Sequence, residues 1–121
     1  MRNETHTIAI LGFEEKGDKI ILILSDNGLT NAHINDEIIW VVGHGSGVDR
    51  IVKIEKKGEN VFKDPPSEKL KSDKNKESTI WEGKCKDYVD RKDHKENYEI
   101  KFIDDLGKEH TSTDPTIQLN P

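Results

Sequence analysis

Tyr98-Glu99-Ile100-Lys101-Phe102, then a turn at Asp104-Asp105-Leu106-Gly107, then Asp114-Pro115-Thr116-Ile117-Gln118-Leu119-Asn120-Pro121: this stretch decides how the rest of the chain is read. Tyr98, Ile100 and Phe102 share one phase, Glu99 and Lys101 the other, and Ile117 and Leu119 repeat the alternation. Successive side chains of an extended backbone point to opposite sides, so a period of two with one apolar face marks a half-buried strand.

The same reading extends upstream. Thr7 to Glu14 carries Ile8 and Ile10 in one phase, with a second phase entering at Leu11 and Phe13. Ile20-Ile21-Leu22-Ile23-Leu24 is a continuous apolar run bounded by Gly17-Asp18 and Asp26-Asn27-Gly28. Its length predicts a strand buried on both faces rather than a helix. Asp26-Asn27-Gly28 supplies the left-handed conformations of a tight reversal. Leu29 to Ile34 reads as a weak strand, Ile38 to Val42 as a strong one around Trp40, and Val48 to Ile54 as the next. Gly43-His44-Gly45-Ser46-Gly47 holds three glycines in five residues and must be a loop.

Val61 and Phe62 anchor a short piece, after which residues 63–78 read as a mobile charged loop of five lysines and four acids with Leu70 as its one large apolar residue. Order returns at Thr79 to Gly83. Lys84 to Asn97 is again charged, with a strand and long turn or a short helix both open. Turn signals recur about every ten residues, the spacing of a β-sandwich of seven to nine strands. The 121 residues are one domain, 1–121, by length.

Composition narrows the function classes. Charged residues make up 36% of the chain and apolar ones 31%. Leu, Ile, Val and Phe still reach 30 of 121, above the roughly 20% level that marks disorder. Fourteen of these are isoleucine, a β-branched residue suited to a pleated surface. A net charge of −5 argues against a nucleic-acid binder that works by neutralising phosphates. No apolar run approaches the roughly 18 residues of a membrane-spanning helix. Met1 to His6 has no apolar signal core, which implies a cytoplasmic chain as written, or a periplasmic or cell-envelope one if a leader has been removed. Cys85 is the single cysteine, so no internal disulfide forms.

Asn35-Asp36-Glu37-Ile38-Ile39-Trp40 resembles the turn-and-strand motif of cupredoxins, with Asn35 where glycine is usual; both residues tolerate positive φ. Tyr98 to Phe102, the glycine turn and Asp114 to Pro121 are similar to the final strand pair of that fold. The order of elements also resembles small bacterial proteins that share the sandwich without a recognised activity. The resemblance implies an all-β, Greek-key, cupredoxin-like β-sandwich. A blue-copper site needs two imidazoles and a thiolate. In cupredoxins the cysteine follows the strand that Tyr98 to Phe102 matches, and here no cysteine follows residue 85, while the only methionine is Met1. Blue copper is therefore not expected, and no cofactor is assigned.

Other constellations are weighed against plainer readings. His44 and His110, in loops near strand ends, with Asp114 or Asp49, would make a zinc or type-2 copper site; two exposed loop histidines is the plainer account. His94 reads as solvated, and His6 and His33 have no partner that the sequence identifies. Ser46 lacks the glycines two before and two after that a nucleophile elbow requires, and the loop lacks the ending of a phosphate cradle. Trp40 reads as core, and Trp81, flanked by charged segments, is the better candidate of the two for a partly exposed contact. Lys84 and Lys86 would lower the Cys85 pKa, though an incidental thiol is the simpler reading. A hydrolase or lyase built on Asp49 and Asp114 has no motif behind it.

The expectation is thus a non-catalytic binding or accessory domain, without copper, for an unknown protein or surface ligand. Its contact surface is expected at Gly43, His44, Gly45, Ser46 and Gly47, with the 63–78 excursion and Trp81. The alternative is a metal-binding sandwich carrying type-2 copper or zinc.

Overall fold

A computed structural model describes residues 4–56, 61–68, 80–87, 94–112 and 115–120. Ten strands run through them: β1 (Thr5–Lys16), β2 (Lys19–Leu24), β3 (Leu29–His33), β4 (Glu37–Val42), β5 (Val48–Lys56), β6 (Phe62–Glu68), β7 (Ile80–Cys85), β8 (His94–Asp104), β9 (Glu109–Ser112) and β10 (Thr116–Asn120). There is no helix among the described residues. The protein is all-β, with a mixed sheet consistent with a β-sandwich.

Neighbours along the hydrogen-bonded path run β3-β10-β8-β9-β2-β1-β4-β7-β6, and β5 pairs with β8. Three pairs are parallel: β1 with β4, β10 with β3, and β2 with β9 through the single match Ile20↔Ser112. β9 and β10 both run antiparallel to β8, and Tyr98 N donates to Pro115 O between them. The last part of the chain thus leaves β2 and joins β3. β5 comes close to β1, β4 and β6 as well, so the path folds over itself and encloses the apolar faces.

β8 alternates as its sequence predicts: Tyr98, Ile100 and Phe102 are buried while Glu99, Lys101 and Ile103 are half-buried. Ile117 and Leu119 of β10 and Trp40 of β4 are fully buried. The Trp40 indole donates Nε1–H to Tyr98 Oη at 3.1 Å and meets that ring edge-on at a centroid distance of 5.8 Å. This gives the central strands both a polar and an aromatic tie, the latter worth about 0.5–1.5 kcal/mol beyond burial. Burial also pushes the Tyr98 pKa up, against the Trp40 hydrogen bond, which lowers it.

Three readings are corrected. β2 is not buried on both faces: Leu22 and Leu24 enter the core, but Ile21 and Ile23 are 39% and 42% exposed beside Leu11 at 54%. An unbroken apolar run does not reveal whether a second layer covers its outer face, and among the described residues none does. The charged stretch beginning at Lys63 opens as strand β6 rather than a loop, while residues 69–79 lie outside the described residues. Its Pro65 and Pro66 are tolerated because β6 ends the path, and the register of β6 against β7 shifts at Phe62/Asp64 and Asp64/Ser67. His110 sits not in a loop but on β9, a strand the sequence reading did not separate. With β6 and β9, the described residues hold ten strands, against an expected seven to nine.

Candidate functional site

Parallel pairing of β1 with β4 sets both ends of the site region. The register runs from Thr5↔Glu37 to Ile10↔Val42. Gly43 therefore leaves β4 against the β1 backbone, with its N–H donating to Ile10 O at 2.8 Å. The loop then closes through Ser46 N to Gly43 O at 3.3 Å. Gly45 and Gly47 take φ of 78° and 82°, a region that side chains disfavour. Asp105, in the β8–β9 turn, donates its N–H to Gly47 O at 3.0 Å. Val42 through Val48 and Asp105 line an open depression of about 610 Å³.

His44 and Gly45 are exposed on this loop, whereas Ser46 is buried and its Oγ accepts from Val48 N at 3.2 Å. That bond closes the local turn and does not present a nucleophile. Gly47 lies beside the Phe13 ring. Phe13 in turn stands 5.2 Å, centroid to centroid, from both Phe102 and His110, and His110 is 5.2 Å from Phe102. A three-ring cluster thus supports the loop from below.

His110 reaches the cluster with a partner that the sequence reading did not select. Its Nε2 lies 2.8 Å from Asp104 Oδ2, with both side chains almost enclosed. Asp104 Oδ1 accepts from Leu106 N and Lys108 N at 2.9 Å each, which shapes the turn ending at Gly107, whose φ is 86°. The His110 bond first, and the Lys108 amide next, hold the Asp104 carboxyl below the usual carboxylate range. A folded pKa below the unfolded one contributes stability that is present above about pH 4 and lost as pH falls through the folded value. The expected outcome is acid destabilisation that begins below about pH 4 and is flatter in Asp104→Asn, as read by urea unfolding at stepped pH. Parallel curves for the two proteins would contradict this assignment.

Of the other expected positions, Asp49 and Trp81 do not join this cluster. Asp49 is exposed and pairs with its neighbour Arg50 at 2.8 Å. Asp114 lies outside the described residues, so its distance from His44 and His110 is not part of the site described. Trp81 is not partly exposed: it is 6% exposed on β7, across from Trp40. The charged residues around it in sequence alternate onto the other face of the strand. Its Nε1 has no hydrogen-bond partner among the described residues.

At the opposite end of β4, Asp36 is 1% exposed and its carboxylate gathers three donors. Glu4 N reaches Oδ1 at 3.0 Å, while His33 N and the His6 ring nitrogen Nε2 reach Oδ2 at 2.8 Å. Burial raises the Asp36 pKa, but the Glu4, His6 and His33 hydrogen bonds outweigh it, and the carboxyl ends below its ordinary value. Cys85 is at this end too, donating its N–H to Asp36 O at 2.8 Å. Its thiol is not activated by Lys84 and Lys86: burial first, then the Asp36 charge, push its pKa up to about 12. The one cysteine and the loop histidine His44 therefore stand at opposite ends of the same strand region. Compared with known proteins, the chain matches no family model and no curated protein.

Proposed function

We propose that this chain is a non-catalytic binding or accessory domain, a Greek-key, cupredoxin-like β-sandwich that receives a protein or surface ligand at its glycine-loop end. The observation that carries this reading is the depression of about 610 Å³ walled by Val42 to Val48 and Asp105, seated on the Phe13–Phe102–His110 ring cluster. Three of the eight residues of that wall are glycines, which put no side chain in a partner's way. Loops on a strand scaffold commonly carry recognition. The cupredoxin likeness draws support from Asn35, whose φ of 69° matches the turn expected at a glycine position, and from the buried Trp40 five residues on.

A catalytic reading gains less. Ser46 Oγ is taken up by the Val48 amide and His110 Nε2 by Asp104. The alternative in which His44 and His110 hold zinc or type-2 copper gains less as well, because among the described residues the two belong to no group of three ligand atoms close enough to share an ion. The −5 charge disfavours a polyanionic partner such as nucleic acid. No helix among the described residues is long and apolar enough to cross a membrane.

His44→Trp tests the reading, because His44 is exposed and a larger side chain there fills the depression without entering the core. Partner capture by the variant is expected to fall at least tenfold against the unaltered chain, with the thermal midpoint unchanged. Capture that persists in full would remove the loop end from consideration.

A further inference from the structure

We propose that Glu4, His6 and Asp36 form a divalent-cation site at the end of β1 and β4 opposite the glycine loop, one that takes zinc on an imidazole nitrogen and two carboxylate oxygens. One ligand atom from each residue lies within 4.8 Å of the other two, the only such three-residue group among the described residues. An ion with bonds of about 2.0–2.2 Å to nitrogen and oxygen needs donors roughly 3–4 Å apart. His6 Nε2 and Asp36 Oδ2 are already 2.8 Å apart, so small side-chain movements complete the set.

The backbone explains why these three meet. Glu4 and His6 are two apart and fall on the same face of an extended chain. The parallel match Thr5↔Glu37 brings the residue before β1 level with the residue before β4, and Glu37 N donates to Glu4 O at 2.9 Å. Asp36 is fixed by the amides of Glu4 and His33, and its own N–H donates to His33 O at 3.1 Å. The innermost ligand is thereby positioned before any ion arrives, which lowers the ordering cost of binding.

Chemistry favours a metal over a bare ion pair. Two carboxylates and an imidazole gather their ligand atoms within 4.8 Å of one another, a set of donors that a divalent ion can share. Nitrogen together with oxygen donors suits zinc better than calcium or magnesium, which prefer oxygen alone. When the ion binds, Nε2 uses its lone pair for coordination and the ring carries its proton on Nδ1. Burial falls off from Asp36 through His6 to the exposed Glu4, so a fourth position faces solvent and is open to water. The site stands apart from the glycine-loop reading, since six residues of β4 separate the two ends, about 20 Å at 3.3 Å per residue.

The test is calorimetric titration of zinc into the chelator-treated, untagged full chain, paired with thermal denaturation at saturating zinc. One equivalent is expected to bind and to raise the thermal midpoint, because the ion binds the folded chain preferentially. Glu4→Gln and His6→Gln are each expected to weaken binding at least tenfold, whereas His44→Ala leaves it unchanged. Glu4→Gln alters an exposed side chain and keeps the Glu4 backbone bonds, so it decides the matter alone should His6→Gln fold poorly. Absence of stoichiometric zinc, or zinc bound equally well by Glu4→Gln, would overturn the site.

Discussion

Phe102→Ala is expected to remove about 3–5 kcal/mol of stability, the range for deleting a fully buried aromatic ring from a packed core. Phe102 is fully buried in the middle of β8, opposite Ile51 of β5 on one edge and His110 of β9 on the other. With strands on both sides, neither neighbour can collapse into the space without breaking its own ladder. The ring also contacts Phe13 and His110 at 5.2 Å each, so the loop above loses part of its support. Folded domains hold only about 5–15 kcal/mol in total, which leaves this variant marginal. Urea unfolding should show a large fall in midpoint with an unchanged slope. Val52→Ala, on the same β5 but 39% exposed, should stay within about 0.5 kcal/mol of the parent. A Phe102 variant that behaves like the Val52 variant would place the core elsewhere.

The alternation that identifies β8 also identifies β10 and the first half of β1, because each has one face turned outward and one in the core, and period two records that difference directly. β4 is marked instead by its apolar run, and β5 by apolar residues at Val48, Ile51 and Ile54, whose spacing of three reflects its register shifts. Turn chemistry was equally plain. Asn27, Gly28, Asn35 and Gly107 all take positive φ where the sequence marks a reversal. What composition could not convey was coverage. Ile20 to Leu24 is apolar at every position, so its sequence contains no phase, and Ile21 and Ile23 are surface residues because no layer among the described residues covers them. Strand β6 was hidden for the opposite reason. Its backbone pairs with β7 although its sequence, rich in charge and proline, has neither the propensity nor the pattern of a strand. Pairing at a sheet end can be dictated by the partner strand.

The candidate sites were legible only in part for a related reason: their members meet across strand pairings, which sequence spacing does not reveal. His6 and Asp36 are thirty residues apart and meet because β1 lies parallel to β4. Asp104 and His110 carried a weak local signal. An Asp that opens a turn closed by Gly107 commonly accepts backbone amides. The register Phe102↔His110 then makes Asp104 the diagonal neighbour of His110 on the same face. Locating that pair required β9, and β9 is four residues, Glu109 to Ser112, without an aliphatic side chain.

Gly43 and Gly45 offer the sharpest check on the loop, because alanine should harm both but for different reasons. The φ of Gly43 is not positive, so an alanine there suits the backbone torsion. Its Cβ, however, would stand 2.5 Å from the carbonyl oxygen of Ile10, the group that accepts the Gly43 amide. No flexible side chain is available to yield; β1 and β4 would have to separate at the end of their parallel ladder. Gly43→Ala is therefore expected to cost about 2–3 kcal/mol, as over-packing against a fixed neighbour does. At Gly45 nothing stands within 4 Å of the added carbon. The cost there is torsional, about 1–2 kcal/mol for a left-handed alanine. Chemical denaturation of the two variants should rank Gly43→Ala as the more damaging. The reverse order would mean that the loop's shape comes from the torsions of its tip, and that β1 and β4 are free to part where Gly43 crosses Ile10. The wall of the depression would then move with its partner instead of standing ready for it.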